Sequence, residues 1–170
     1  DGIDWKEWDF NSLSINKSDT LYIRGNNPNG FNRGRAVDEY CSFEMNSGKV
    51  RCYGNIMSLI DYKNLPNIIP CEYCFYGLFK DCTALTTAPE LPATKLAGGC
   101  YSGMFECCFS LKTAPKLPAK KLANWCYSRM FKNCTSMTTA PKLPKTAPYV
   151  NCYYNMFEGC TLLKGNVNLR

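Results

Sequence analysis

Twelve cysteines and no histidine bound the chemistry open to this 170-residue chain. Without histidine the commonest general base and the commonest metal ligand are missing, and no Cys–His or Ser–His–Asp arrangement can form. Eight cysteines occupy two fixed slots of a repeated phrase: Cys74, Cys100, Cys126 and Cys152, then Cys82, Cys108, Cys134 and Cys160. Such even spacing argues against zinc, which favours two CxxC-type pairs; the lone Cys71–Cys74 pair is a weak signal. Equivalent cysteines are also poorly placed to bridge. On stacked helices they would lie about 8–10 Å apart, and a disulfide needs its Cα atoms within roughly 7 Å. The expected state is a ladder of buried free thiols acting as small apolar residues, with diagonal bridges between repeats as the alternative. Carboxylate chemistry has little more to draw on. The repeated half holds only Asp81, Glu90, Glu106 and Glu158, in non-equivalent slots. Neither catalysis nor a cofactor is expected.

The elements that position these thiols are written in the repeat. A 26-residue phrase runs over residues 74–99, 100–125 and 126–151 and begins again at 152–170. A fixed period of this length means stacked units that share one core. In the third copy Cys126, Met130 and Cys134 are spaced four apart, with Tyr127 and Phe131 beside them. That stripe predicts a short helix, with Ser102, Ser128, Arg129, Lys132, Tyr154 and Glu158 on the solvent side. Asp81, Cys107, Asn133 and Gly159 occupy the slot before the second cysteine. Asp, Asn and Gly tolerate the left-handed conformation that ends a helix. The following stretches, Thr86 to Pro89, Lys112 to Pro115 and Thr138 to Pro141, predict one brief strand each. The expected fold is an α/β leucine-rich-repeat solenoid, one short strand and one short helix per repeat, over residues 74–170.

Residues 1–73 do not repeat and are expected to form a small β-rich cap over the end of the solenoid. Ser12–Ile15 and Leu21–Arg24 read as strands. Tyr40–Met45 and Lys49–Tyr53 read as a hairpin around Asn46-Ser47-Gly48. That hairpin would set Cys41 opposite Cys52, the one specific disulfide expected. Charge divides at the same boundary: residues 1–73 hold 8 Lys+Arg against 10 Asp+Glu, net −2, and residues 74–170 hold 12 against 4, net +8. No apolar run is long enough to span a membrane. The chain starts at Asp1 without Met or a basic-then-apolar leader, and stops soon after the fourth copy begins. A processed chain or fragment, with further repeats beyond, is the expectation.

The excess positive charge falls in equivalent slots beside the strand, at Lys112, Lys116 and Lys142, with Lys120, Lys121 and Lys145 nearby. A basic column favours an acidic protein or glycan, while also serving as an ordinary solvated face that resists edge pairing. Nucleic acid is disfavoured, because the aromatic residues lie in the stripe expected to be buried. The ligand-binding residues expected from this pattern are Lys112, Thr113, Lys116, Thr139 and Lys142. Trp125, Arg129 and Tyr154, which vary between copies, form a second candidate surface. Cys107 stands where its neighbours have Asp, Asn or Gly, at a slot that should point to solvent; it is either harmless drift at a permissive site or an exposed thiol able to cross-link chains.

The Met-Phe-x-x-Cys stretches Met104–Phe105–Cys108, Met130–Phe131–Cys134 and Met156–Phe157–Cys160, with Ala-Pro-x-Leu-Pro in the complete copies, resemble the BspA-like leucine-rich repeat proteins of anaerobic gut bacteria and their phages. Arg24-Gly25-Asn26-Asn27, Phe43–Met45 and Gly54–Ile60 resemble the lead-in before such repeats. Cys107 departs from the family's small or polar residue. The resemblance implies an extracellular or surface-exposed, non-enzymatic protein engaged in adhesion or binding of a protein or glycan. The alternative is a structural spacer or assembly component of a surface, filament or phage tail, with self-association.

Overall fold

The computed structural model describes residues 19–32, 34 and 41–164, so the Ser12–Ile15 strand lies outside the described residues. Among them the regular elements are a 3₁₀ helix at Ile56–Leu59 and two short strands, β1 (Val50–Arg51) and β2 (Leu85–Thr87). Over the described residues the chain is a repeat solenoid with almost no regular helix or sheet. Its order lies in 26-residue coils whose equivalent residues stack in columns.

The helix expected from the cysteine stripe does not form. Three residues per coil, four apart, are left-handed: Tyr73, Gly77 and Asp81 have φ of 54°, 58° and 61°. The pattern recurs at Gly99, Gly103 and Cys107, at Trp125, Arg129 and Asn133, and at Asn151, Asn155 and Gly159. A left-handed residue in every fourth place interrupts an α-helix before its second turn, leaving a succession of four-residue turns. Residues eight apart on an α-helix drift by about 80° around the axis. Successive four-residue turns come back into line. Cys126, Met130 and Cys134 therefore all point inward and are fully buried, as the stripe required, although the backbone beneath them is not helical.

Hydrogen bonding explains the turn geometry. In the first coil the N–H groups of Tyr73, Phe75, Gly77, Phe79 and Asp81 donate to Gly98, Cys100, Ser102, Met104 and Glu106 of the next coil, at 2.8–3.0 Å. Those of Tyr76, Leu78, Lys80 and Cys82 donate three residues back, within the turn. Alternate amides thus serve the stack and the coil, and a buried backbone is satisfied without helix or sheet. The same alternation recurs between the second and third coils and between the third and fourth.

Two ring columns run along the inside. One joins Phe31, Phe75, Tyr101, Tyr127 and Tyr153, with successive centroids 5.9–6.4 Å apart. The other joins Phe43, Phe79, Phe105, Phe131 and Phe157 at 5.3–5.8 Å. Offset stacking adds about 0.5–1.5 kcal/mol per pair beyond area burial. A cysteine column stands beside them. The thiols of Cys82, Cys108, Cys134 and Cys160 donate to the carbonyls of Phe43, Phe79, Phe105 and Phe131 in the preceding coil, at 2.9–3.1 Å. A small apolar side chain with a weak donor suits that slot.

The strand side of the coil is looser. β1 and β2 pair in parallel, and lone parallel bridges join Asn55 to Glu90 and Thr113 to Thr139. A third side carries buried Leu91, Ala93 and Leu96 and their counterparts Leu117, Ala119 and Leu122. Residues 41–69 follow this path as well: Phe43 donates to Leu78, Val50 to Ala84, Ile56 to Glu90 and Ile69 to Lys95. Both ring columns therefore cross the 73/74 boundary into the non-repeating segment. The hairpin expected around Asn46-Ser47-Gly48 is absent, because Met45 and Val50 both bond Ala84 of the first repeat instead of each other. Leu21–Arg24 does not form a strand, and Leu21, Tyr22 and Ile23 are exposed. Asn32, buried at 1 % exposure, ties this region together. Its side chain accepts from the Cys41 amide at 2.8 Å and donates to the Tyr76 carbonyl at 3.1 Å.

Candidate functional site

The residues expected to bind a ligand divide between two faces. Lys112, Thr113, Lys116, Thr139 and Lys142 are all exposed on the strand side. The parallel bridge between Thr113 and Thr139 sets two of them opposite each other, and the Thr138 amide donates to the Lys112 carbonyl at 3.3 Å. Lys116 and Lys142 fill equivalent slots, where the first coil has exposed Glu90. Trp125 is elsewhere. It lies on the turn side with Arg129 and Tyr154, the second candidate surface.

The turn side carries a groove of about 160 Å³. Tyr73 and Tyr76 of the first coil form one wall; Trp125, Arg129 and Tyr154 form the other. Ser102, Gly103 and Ser128 lie between them, with Lys80 and Glu106 at one end. The ring pairs Tyr73–Tyr76 and Trp125–Tyr154 are both edge-to-face, at centroid separations of 6.2 and 5.9 Å. The Arg129 guanidinium sits over the Tyr154 ring at 5.9 Å. Trp125 and Tyr154 are 41 % and 44 % exposed.

The repeat builds this groove by changing a few slots. The slot shared by residues 73, 99, 125 and 151 reads Tyr, Gly, Trp, Asn, and the slot shared by 77, 103, 129 and 155 reads Gly, Gly, Arg, Asn. Both are left-handed in every coil. Gly103 lines the gap, and Gly99 lies beneath the Tyr73 ring. A Cβ at Gly99 would run into the Tyr73 ring, which lies across that position. Ser128, expected at the solvent side, is buried at 3 % exposure, and its hydroxyl donates to the Tyr154 carbonyl at 3.4 Å. Lys80, Glu106, Lys132 and Glu158 share one slot with alternating charge. Ion pairs join Lys80 to Glu106 at 3.8 Å and Lys132 to Glu158 at 3.1 Å. The alternating slots and the periodic Gly and Asn are the sequence signals for this face; helical spacing alone does not reveal them.

The cysteines are free thiols. Burial holds Cys74, Cys82 and Cys126 up at about 12 and Cys52 at about 11. Burial also raises Cys100, Cys108 and Cys134. Such thiols are poor nucleophiles, because the thiolate is the reactive form. Cys41 is exposed and Cys52 half-buried. Cys107 is half-buried at a left-handed position with φ of 61°, and its sulfur accepts from Asn133 Nδ2 at 3.7 Å. Desolvation raises its pKa too. Among the described residues no group of three Cys, Asp or Glu side chains is arranged to hold a metal ion. No described helix is long and apolar enough to cross a membrane. Comparison with protein-family models, curated proteins and solved structures found no match.

Proposed function

We propose that the chain is a non-catalytic recognition module. It would work outside the cell, on a cell surface or a virion, and bind a protein or glycan through side chains displayed on a rigid stack. The observation that carries this reading is the division between constant and varying letters. Positions that stay apolar in every coil, such as the Cys100, Tyr101, Met104, Phe105 and Cys108 set, are buried in the first three coils. Positions that change, such as Trp125, Arg129, Tyr154, Lys116 and Lys142, are exposed. A stack that holds its core fixed and varies its surface is suited to display. Kinship with BspA-like leucine-rich repeats is part of this proposal. The repeated phrase supports it, as do the inward Leu85, Leu91 and Leu96. A labelled chain is expected to bind intact cells or purified envelopes saturably. Absence of saturable binding to any surface tested would reject the module reading.

One observation favours the spacer alternative. In the fourth coil Tyr153, Phe157 and Cys160 are half-buried, where Tyr127, Phe131 and Cys134 of the third are fully buried. Half-buried rings and a half-buried thiol in one coil leave apolar surface that another coil or another copy can cover. Sedimentation that shifts with concentration, in a chain that binds no surface, would favour assembly over recognition.

A further inference from the structure

We propose that the turn-face groove is a saccharide-binding site, with one sugar residue stacked on Trp125 and reached by Tyr73, Tyr76, Glu106 and Arg129. This deepens the recognition reading and rests on it.

The first support is which bulky residues fill the first two left-handed slots of the repeat; Leu65, at φ of 46°, lies outside those slots. Tyr73, Trp125 and Arg129 have φ of 54°, 59° and 53°. In these slots the other coils use Gly or Asn, which adopt that conformation with least strain. All three exceptions line the groove. Strain of this kind tends to persist where the side chain has a use. The core does not supply one for Trp125, which is 41 % exposed. The second coil does the opposite, placing Ser102 and Gly103 between the aromatic walls.

The second support is what the groove offers a ligand. Its floor amides are spoken for: Gly103 donates to Ser128 at 2.8 Å and Ser102 to Gly99 at 3.0 Å. An extended peptide would find no ladder there. Recognition falls to rings and side-chain polar groups. Aromatic faces carry negative charge density and attract polarised C–H groups, which a sugar ring presents on its flat face. Glu106 as a carboxylate only accepts, and so suits sugar hydroxyls; Lys80 and Arg129 only donate, and suit ring and hydroxyl oxygens. A quaternary ammonium would also favour the rings, but two cations against one carboxylate in the lining oppose it. At about 160 Å³ the groove is smaller than the roughly 300–1,000 Å³ of drug-sized sites, which fits one ring of a longer glycan.

The test is a glycan microarray probed with the full chain, with choline and adenosine monophosphate titrated separately against Trp fluorescence. Saturable retention on a subset of glycans is expected. Trp125→Gly should weaken it about tenfold or more, while the thermal midpoint stays level or rises, because this slot accepts glycine in the second coil. A blank array, equal retention by Trp125→Gly, or saturable binding of choline or the nucleotide in place of glycans would overturn the assignment. Cell binding that survives both glycosidase treatment and Trp125→Gly would sink the sugar site and leave the recognition reading standing. Loss of all surface binding by the wild-type chain would sink both.

Discussion

The two sides of each coil are built to different standards. On the turn side alternate amides cross to the next coil, rings stack at 5.3–6.4 Å, and thiols reach back to the preceding carbonyls. On the strand side β1–β2 pairing and lone bridges are what join the coils, and Pro89, Pro115 and Pro141 withhold donors. The difference shows where precision is needed. A groove whose walls come from the first, third and fourth coils keeps its shape only if the coils are in fixed register. The ladder-bonded side provides that, and the groove is found there. The exposed lysines sit on the looser side, where a charge cluster needs less exact placement.

The largest expected effect that separates the two sides is the removal of a column ring. Phe105→Ala should lower unfolding free energy by about 3–5 kcal/mol, from lost transfer and an unfilled cavity. Thr113→Ala, at an exposed lone bridge, should stay within about 0.5 kcal/mol. Urea denaturation of the two variants checks the contrast, and equal losses would erase it.

The next effect is alkaline. A thiol whose folded pKa is raised holds its proton more tightly when folded than when unfolded. Its contribution is therefore complete below its ordinary value of 9.0 and is lost as pH rises toward about 12, for Cys74, Cys82 and Cys126. The loss should be about 1 kcal/mol per buried thiol at pH 10. Urea midpoints at pH 7, 9 and 10 should fall progressively above 9, and Cys126→Ala should flatten the slope. A midpoint indifferent to pH above 9 would mean that these thiols are not desolvated.

The smallest effect belongs to the alternating charges. Lys132→Ala should cost about 0.2–1 kcal/mol, since Glu158 is half exposed, with side-chain exposure of 48 %. High salt should shrink that difference.

How much of this was legible depended on the kind of signal. The 26-residue period and the burial of Cys126, Tyr127, Met130, Phe131 and Cys134 followed from repetition and apolar spacing. The left-handed conformation at Asp81, Asn133 and Gly159 followed from residue type. The helix did not follow, because four-residue spacing over eight residues suits both an α-helix and a run of four-residue turns. Gly77, Gly99, Gly103, Asn151 and Asn155, all in left-handed slots, were the discriminating residues. Tyr73, Trp125 and Arg129 masked that signal by standing where glycine would be expected. Trp125 varies between copies, but its companions Tyr73, Tyr76 and Ser102 come from other coils, and only the register of the stack brings them together. Within the strand expected at Lys49–Tyr53, Val50–Arg51 does form one, but its partner is not the one a hairpin would give. Val50 finds its partner in Ala84 and Leu85 of the repeat, and nothing local in residues 40–53 announces that pairing.

The four-residue turns set the whole stack, and one substitution separates them from a helix by sign. Gly103 has φ of 60°, and a Cβ there would meet only Glu106 Oε2, at 3.3 Å. Backbone conformation therefore dominates the effect of Gly103→Ala. At a left-handed position the change should destabilise the chain by about 1–2 kcal/mol, measured by urea unfolding at pH 7. In a helix interior it would stabilise by about 1 kcal/mol, and that result would contradict the turn ladder.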